Sequence, residues 1–492
     1  MVTTTLFCVL RNAGFSILVG WVFGYCYTVG NVASGKPPAE QSYASYVAAN
    51  GALYHGVFSA AIVVMFSVQL TPEKFVLQPP RNASTSTEPA SRTLSLAQCC
   101  FKLLYHMTPH LIFSTTAEVV GCYMLIKYLP PSGRKYKPAM YLSSFWGNFV
   151  LASAEYCKRN IFNYETVRGL ARRQLRESDR CRRSSSRPRY SWSASLRRFV
   201  VIYLGILPSI MSSVVAILYV HSISLFASID RESELMAFAI GSIVLKLTLQ
   251  EVAKRYLLST KDPLPRRMMI ILVSTPTILV DTQVRMLLMR LQDVKFSVLG
   301  SAMLAIAEIS VRTVKSMIVH RKMRHLLRER IVPVFAKARR RVSVAQTPHE
   351  TPKQASTRRR AVIPGRPTPE GTEAHRRHFV VHAAEIYSDM YAEYMAMGCS
   401  YAIMFFFWNH PQYQFIESPS EKSEATQRFH QFLLFAFQVS VEVVVDFIAC
   451  NIEAMQGIDF NSFDQNDPFL TFFMSVLAFG NVSISAGLYI HS

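Results

Sequence analysis

The stretch HQFLLFAFQVSVEVVVDFIACNIEAM, residues 430–455, decides the fold class. As a helix rising about 1.5 Å per residue, it is long enough to cross the roughly 30 Å hydrocarbon core of a bilayer. Two carboxylates, Glu442 and Asp446, are the charged groups in its central, otherwise apolar part. The stretch therefore predicts a transmembrane helix with acidic side chains inside it.

Ten further apolar runs of similar length occur along the chain. Half of the 492 residues are apolar, only 17% are charged, and mean hydropathy is +0.19, a composition too apolar for most soluble proteins of this length. We therefore predict an all-α, polytopic transmembrane helix bundle of about eleven spans. The ten further spans are expected near 8–30, 49–69, 104–128, 139–157, 199–227, 235–252, 267–290, 295–319, 389–408 and 468–490.

The first run could instead be a removed signal peptide, because small residues follow it. A clear basic segment before the apolar run is missing, which favours a retained helix.

Two basic segments carry the net charge of +21. Residues 158–198 contain 13 Lys or Arg against 3 Asp or Glu, and residues 320–378 contain 16 against 4. Basic loops beside membrane spans lie in the cytoplasm, which places both segments there. Their composition predicts disordered loops that contact anionic lipid headgroups, and no nucleic-acid partner is expected. Which membrane holds the protein and how its termini are oriented stay open.

The two loops divide the chain into five segments. N-terminal membrane helices occupy 1–157, the first basic loop 158–198, and a central four-helix membrane unit 199–319. The second basic loop occupies 320–378 and the C-terminal membrane helices 379–492.

Ionisable residues within the predicted spans are the candidates for function, because a charge in the bilayer interior is costly unless it is paired or hydrated. Glu118, Glu442 and Asp446 have no cation nearby in the sequence. Two carboxylate–arginine pairs at a spacing of four lie deep in their spans, and Lys246 is a further intramembrane cation. The predicted polar interior, a site for a cation or proton, is Glu118, Lys246, Asp281, Arg285, Glu308, Arg312, Glu442 and Asp446. Alternatively, Glu442 and Asp446 pair with Lys246, Arg285 or Arg312 on neighbouring helices and only fix the packing.

Glu385, Asp389 and Glu393 form a stripe at a spacing of four that leads from the second basic loop into the ninth span. Such a stripe occupies one helix face. It could form a cytoplasmic vestibule for cations, or a solvated face paired with the basic residues before it.

Histidines offer an enzymatic alternative, a membrane oxygenase. His106, His110 and His375 to His382 resemble the clustered histidines of such enzymes only loosely, because the doubled histidine is missing and arginines adjoin them. No nucleotide-binding, hydrolase or metalloprotease motif occurs. We expect no enzyme activity and no cofactor.

Short patterns also indicate covalent modification. Ser184, Ser185 and Ser343 adjoin arginine clusters, as phosphorylation sites of basic-directed kinases do. Cys99 and Cys100 could be palmitoylated, although buried packing cysteines fit equally well.

Two functions fit these observations. The first is a cation- or proton-coupled transporter or an ion-conducting protein that uses the intramembrane carboxylates. The second is a membrane scaffold or accessory subunit that recruits anionic lipid or cytoplasmic partners through its basic loops. The substrate and the oligomeric state cannot be deduced from the sequence.

Overall fold

A computed structural model describes residues 2–70, 95–166, 196–204, 232–259, 266–290, 369–413, 424–456 and 468–490, with short pieces between them that include 312–318. Both predicted basic loops fall largely outside these residues. So do most of the predicted spans 199–227 and 295–319. The described part of the chain is almost entirely helical and contains no strand, only an isolated bridge between Tyr413 and Ile490.

Long helices occupy most of the described residues, and we number them in chain order. They are α1 Val2–Val29, α2 Tyr43–Leu70, α3 Leu96–Tyr128, α4 Pro138–Glu165, α5 Glu232–Ser259, α6 Arg266–Arg290, α7 Pro369–Phe407, α8 Glu424–Met455 and α9 Pro468–Tyr489.

Five described helices are long and apolar enough to cross a membrane. These stretches are Val2–Ser34, Tyr43–Val68, Leu96–Tyr128, Arg428–Met455 and Phe469–Tyr489. These apolar helices indicate a membrane protein, whereas the predicted count of eleven spans is not confirmed. Helices α4, α5, α6 and α7 fall outside the five, and each carries several charged residues along its length.

Helix α7 lies at the centre of the bundle. It packs most extensively against α6 and α1, and also contacts α8, α9 and α5. Every residue from 381 to 404 is buried, so α7 is enclosed by protein on all sides over this length. Helix α1 belongs to the same core, because it packs on both α7 and α9.

Helices α2, α3 and α4 form a second group beside this core, joined to it mainly through α9. Each of the three packs against the other two. An apolar cluster that includes Leu103, Met107 and Val150 fills the space between them. Ser95 caps α3: its hydroxyl accepts from the Gln98 amide while the Gln98 side chain accepts from the Ser95 amide.

Large apolar side chains cover the outer faces of several helices. On α3, Phe101 and Tyr105 are 74% and 78% exposed, and Phe113 and Tyr123 are also exposed. On α8, Phe429 and Val444 point outward in the same way. Exposed apolar surface on this scale is expected where lipid, and not water, surrounds a protein.

Candidate functional site

Helices α5 and α7 carry matching polar stripes that pair in antiparallel register. Lys246, Gln250 and Lys254 follow one another at a spacing of four on α5, as Glu393, Asp389 and Glu385 do on α7 in the reverse direction. Lys246 Nζ donates to Glu393 Oε1 at 3.3 Å, Gln250 Nε2 to Asp389 Oδ1 at 2.5 Å and Lys254 Nζ to Glu385 Oε2 at 3.0 Å. Residues spaced by four share a helix face, so the two stripes meet along their length. We call this pairing the polar ladder.

The carboxylates of the polar ladder are buried. Glu385, Asp389 and Glu393 are 5%, 7% and 2% exposed. The prediction of a solvated helix face is therefore wrong. Among the described residues, the cations that pair with these carboxylates are Lys246 and Lys254 of α5 and Lys315 of the helical piece 312–318.

Further polar side chains close the Glu385 end of the ladder. Lys315, in the helical piece 312–318, donates to Glu385 Oε1 and to Gln250 Oε1, each at 2.9 Å. His382 Nδ1 lies 3.3 Å from Glu385 Oε2. Glu385 thus binds three nitrogen groups from three parts of the chain.

At the Glu393 end, the ladder continues onto α6 and α8. Lys246 Nζ also contacts Asp281 Oδ2 of α6 at 2.8 Å. Arg285, one turn further along α6, lies 3.5 Å from Glu442 Oε2 of α8. The two members of the predicted Asp281/Arg285 pair therefore contact different helices.

Arg312 links the same end to a second pair of carboxylates on α8. It forms an ion pair with Asp446, and its Nη2 lies 3.2 Å from Glu453 Oε2. Its side chain is only 5% exposed, and both carboxylates are equally buried. Because α8 residues 446 and 453 are two turns apart, one guanidinium spans both.

Three of these carboxylates come together. One oxygen from each of Glu393, Glu442 and Asp446 lies within 4.8 Å of the other two, and all three side chains are buried. The Tyr394 phenol lies beside Asp446. Glu442 Oε1 accepts no hydrogen bond from any residue that the structure describes. We call Glu393, Glu442 and Asp446 the carboxylate triad.

Negative charge exceeds positive charge in this buried network. Among the described residues, its permanent cations are Lys246, Lys254, Arg285, Arg312 and Lys315. Its carboxylates are Asp281, Glu385, Asp389, Glu393, Glu442, Asp446 and Glu453. The carboxylates exceed the cations by two, or by one if His382 is protonated. Buried excess charge is costly, so bound protons or cations are expected to offset it.

An open cleft of about 400 Å³ reaches the Glu385 end of the ladder. Side chains from α5, the piece near residues 310–315 and α7 line it, among them Glu251, Lys315 and Glu385. A cleft of this size holds several water molecules. It gives the ladder a connection to solvent at one end.

No protein-family model, curated protein or solved structure matches this chain. The geometry of its own residues therefore carries the functional argument.

The structure brings together most of the predicted polar interior. Lys246, Asp281, Arg285, Arg312, Glu442 and Asp446 all belong to the buried network, together with the three stripe carboxylates. Glu118 belongs elsewhere: it forms an ion pair with His55 of α2, whose Nε2 lies 3.3 Å from the Ser114 hydroxyl. Glu308 lies outside the described residues.

Sequence reasoning missed Gln250, Lys254, Lys315 and Glu453. A signal for the first two was present, because residues 246, 250 and 254 repeat the spacing of four seen at 385, 389 and 393. Glu453 follows Asp446 by seven residues, which keeps both on one face of α8. Lys315 was missed because it lies near the end of the predicted span 295–319, where no spacing pattern sets it apart.

The remaining predicted residues lie apart from the network or outside the described chain. Cys99 is 1% exposed in the apolar cluster of α2, α3 and α4, which fits a packing role, and Cys100 is half-buried. Three of these, Ser184, Ser185 and Ser343, lie outside the described residues. The side chain of His375 is also not described. His106 contacts Glu165, and His110 stacks on Phe199.

Proposed function

We propose that this protein is a membrane transporter or ion-conducting protein in which the polar ladder and the carboxylate triad bind and pass a proton or small cation. One observation carries the proposal: three buried carboxylates converge inside a network whose described residues include more carboxylates than permanent cations. Ionisable residues within membrane helices mark ion and proton pathways in pumps and transporters.

The order of groups along α7 supports a path. The cleft reaches Glu385, and the carboxylates of Asp389 and Glu393 follow at intervals of one helical turn, about 6 Å each. The triad lies at the far end of this series. An ion entering from the cleft would therefore meet an acceptor at each turn before it reached the triad.

Reconstituted vesicles test the role of the triad. We expect purified protein to carry H⁺, Na⁺ or K⁺ into vesicles that contain an ion-sensitive dye when a gradient and a membrane potential are imposed. Glu442→Gln keeps the size of the side chain and removes its charge. This variant should reduce the flux at least tenfold.

Glu155→Gln is the matched control. Glu155 is also a partly buried glutamate, but its cations, Lys158 and Arg159, are on its own helix. Flux through this variant should equal that of the unchanged protein. A flux no greater than that of protein-free vesicles, or an equal flux in Glu442→Gln, contradicts the proposed function.

The second candidate is a scaffold or accessory subunit that recruits anionic lipid or cytoplasmic partners through 158–198 and 320–378. The observation in its favour is that the described permanent cations of the network each contact a carboxylate, as in a static packing device. It predicts no ion flux, and loss of binding to vesicles rich in anionic lipid when 320–378 is deleted.

A further inference from the structure

The carboxylate triad could hold a metal ion or a proton, and its surroundings distinguish the two. Ca²⁺ is usually bound by six to eight oxygens and Mg²⁺ by six. The described residues bring together one oxygen from each of three carboxylates. Waters or other groups would have to complete a metal shell in a place where protein encloses α7.

The nearest cations also disfavour a metal ion. Lys246 contacts Glu393, Arg285 lies 3.5 Å from Glu442, and Arg312 contacts Asp446. Each triad carboxylate therefore already has a fixed positive charge beside it. A divalent cation among them would be repelled at short range with little water to screen it.

A proton fits the same surroundings. Two carboxylates this close resist being ionised together, and one proton shared between them removes the repulsion. Glu442 is the best-placed carrier, because its contact with Arg285 is long for a charge-assisted hydrogen bond. Its Oε1, like Oδ2 of Asp446, is buried without a described donor. Asp446, in contrast, is in direct contact with Arg312.

The charged groups on the other helices that pack against α7 do not change the balance of charge around Glu393 and Glu442. Helix α6 contributes Asp281 beside Lys246, and α8 contributes Glu453, which Arg312 also binds. Helix α9 carries no Asp, Glu, Lys or Arg. The one charged residue of α1, Arg11, lies near Tyr391.

We infer that Glu393 and Glu442 share one exchangeable proton, so that the ion handled by this site is H⁺ and not a metal cation. This deepens the proposed function and rests on the same site. When the proton is bound, one carboxyl O–H donates to an oxygen of the other, ionised carboxylate. When it leaves to water, both carboxylates are ionised and Arg285 and Lys246 face the added negative charge.

Infrared spectroscopy of the full chain in lipid nanodiscs tests this inference without any transport assay. A protonated carboxyl has a C=O stretch at higher frequency than a carboxylate, and the band shifts when H₂O is replaced by D₂O. We expect such a band at neutral pH. Glu442→Gln and Glu393→Gln should each reduce the intensity of this band by the contribution of one protonated carboxyl. Glu155→Gln should leave the band unchanged.

Each result is decisive for the shared proton. The inference is overturned if the unchanged protein lacks the band, which requires no variant to fold, or if the band in Glu393→Gln or Glu442→Gln is as strong as in the unchanged protein. It is also overturned by stoichiometric Na⁺, Ca²⁺ or Mn²⁺ binding that Glu442→Gln abolishes. If the band behaves as expected while vesicles show no flux, the proton site stands and the transport role falls.

Discussion

The core around α7 and the part of α4 around Glu155, in the neighbouring group of α2, α3 and α4, handle charge in opposite ways. In the core, Lys246 binds carboxylates 35 and 147 residues away in the sequence. In the neighbouring group, Glu155 pairs with cations three and four residues further along α4. The ion pairs of the polar ladder and the carboxylate triad thus connect different helices, whereas those of Glu155 stay within one helix. The pair of Lys102 and Glu165, which joins α3 to the end of α4, is only partly buried.

The two kinds of ion pair differ in how much hydration their charges have lost. A local pair at a helix end lets a charged side chain stay near the membrane boundary at little cost. Pairs between helices in a buried core have lost their hydration, and each partner depends on the other. Removing one charge should therefore lower the free energy of unfolding strongly in the core and only slightly at the Glu155 pairs of α4.

The largest effect is expected at Arg312. Arg312→Met leaves Asp446 and Glu453 without their shared cation, and breaking a buried pair in this way typically costs about 3–5 kcal/mol. We expect a corresponding loss in the free energy of unfolding, measured by denaturant titration in detergent micelles.

Arg159→Met is the control for that measurement. Arg159 is 57% exposed and pairs with Glu155 on its own helix, so its loss should cost less than about 1 kcal/mol. Equal effects of the two substitutions would remove the distinction between core and periphery.

The next effect is a coupling across the polar ladder. Lys246→Met and Glu393→Gln should each destabilise the protein, while the double variant should lose less than the sum of the two. We expect a coupling energy of about 2 kcal/mol from a double-mutant cycle of unfolding free energies. Strict additivity would show that the two side chains do not interact.

A smaller loss of unfolding free energy is expected at the buried pair of His55 and Glu118 in the neighbouring group. His55→Leu removes the partner of Glu118, whose carboxylate is 3% exposed. Because this substitution leaves a buried carboxyl group without its partner, the cost should be about 1–2 kcal/mol. Thermal unfolding would measure this cost. A loss of unfolding free energy as large as that of Arg312→Met would show that this pair stabilises the protein as strongly as the core pairs do.

The smallest effect concerns Lys137, which lies between α3 and α4 and donates to the Ile490 carbonyl. Burial lowers the pKa of Lys137 from its ordinary 10.5 to about 8. Between these values the unfolded chain binds more protons than the folded protein, so stability should rise as pH increases from about 8 to 10.5. Lys137→Met should flatten this part of a stability–pH curve, and an unchanged slope would contradict the assignment.

Helix positions were predictable from the sequence, because apolar runs of about 20 residues have few alternatives to a membrane helix. The runs at 8–30, 49–69 and 430–455 correspond to α1, α2 and α8. The number of membrane spans was not predictable to the same degree. Helices α5 to α7 combine apolar residues with charges that protein contacts neutralise, and hydropathy alone does not distinguish such helices from soluble core helices.

The residue types of the site were predictable, and so were the cations available to Glu442 and Asp446, but not which carboxylate each cation binds. Glu442 and Asp446 stand out within an apolar run, whereas the choice of Arg285 and Arg312 as their partners depends on how four helices meet. Asp281 and Arg285 look like a local pair at a spacing of four, yet Lys246 competes for Asp281 and Glu442 for Arg285. Such competition is decided by tertiary packing and leaves no trace in local sequence.

The central claim is that a buried carboxyl in the triad carries a proton at neutral pH. A glutamic acid that unfolds at pH 7 releases its proton, because its pKa in water is about 4.3. Protons released on unfolding in weakly buffered detergent can be counted for the unchanged protein and for Glu442→Gln. We predict about one proton fewer from Glu442→Gln, and equal release from the two proteins would contradict the claim.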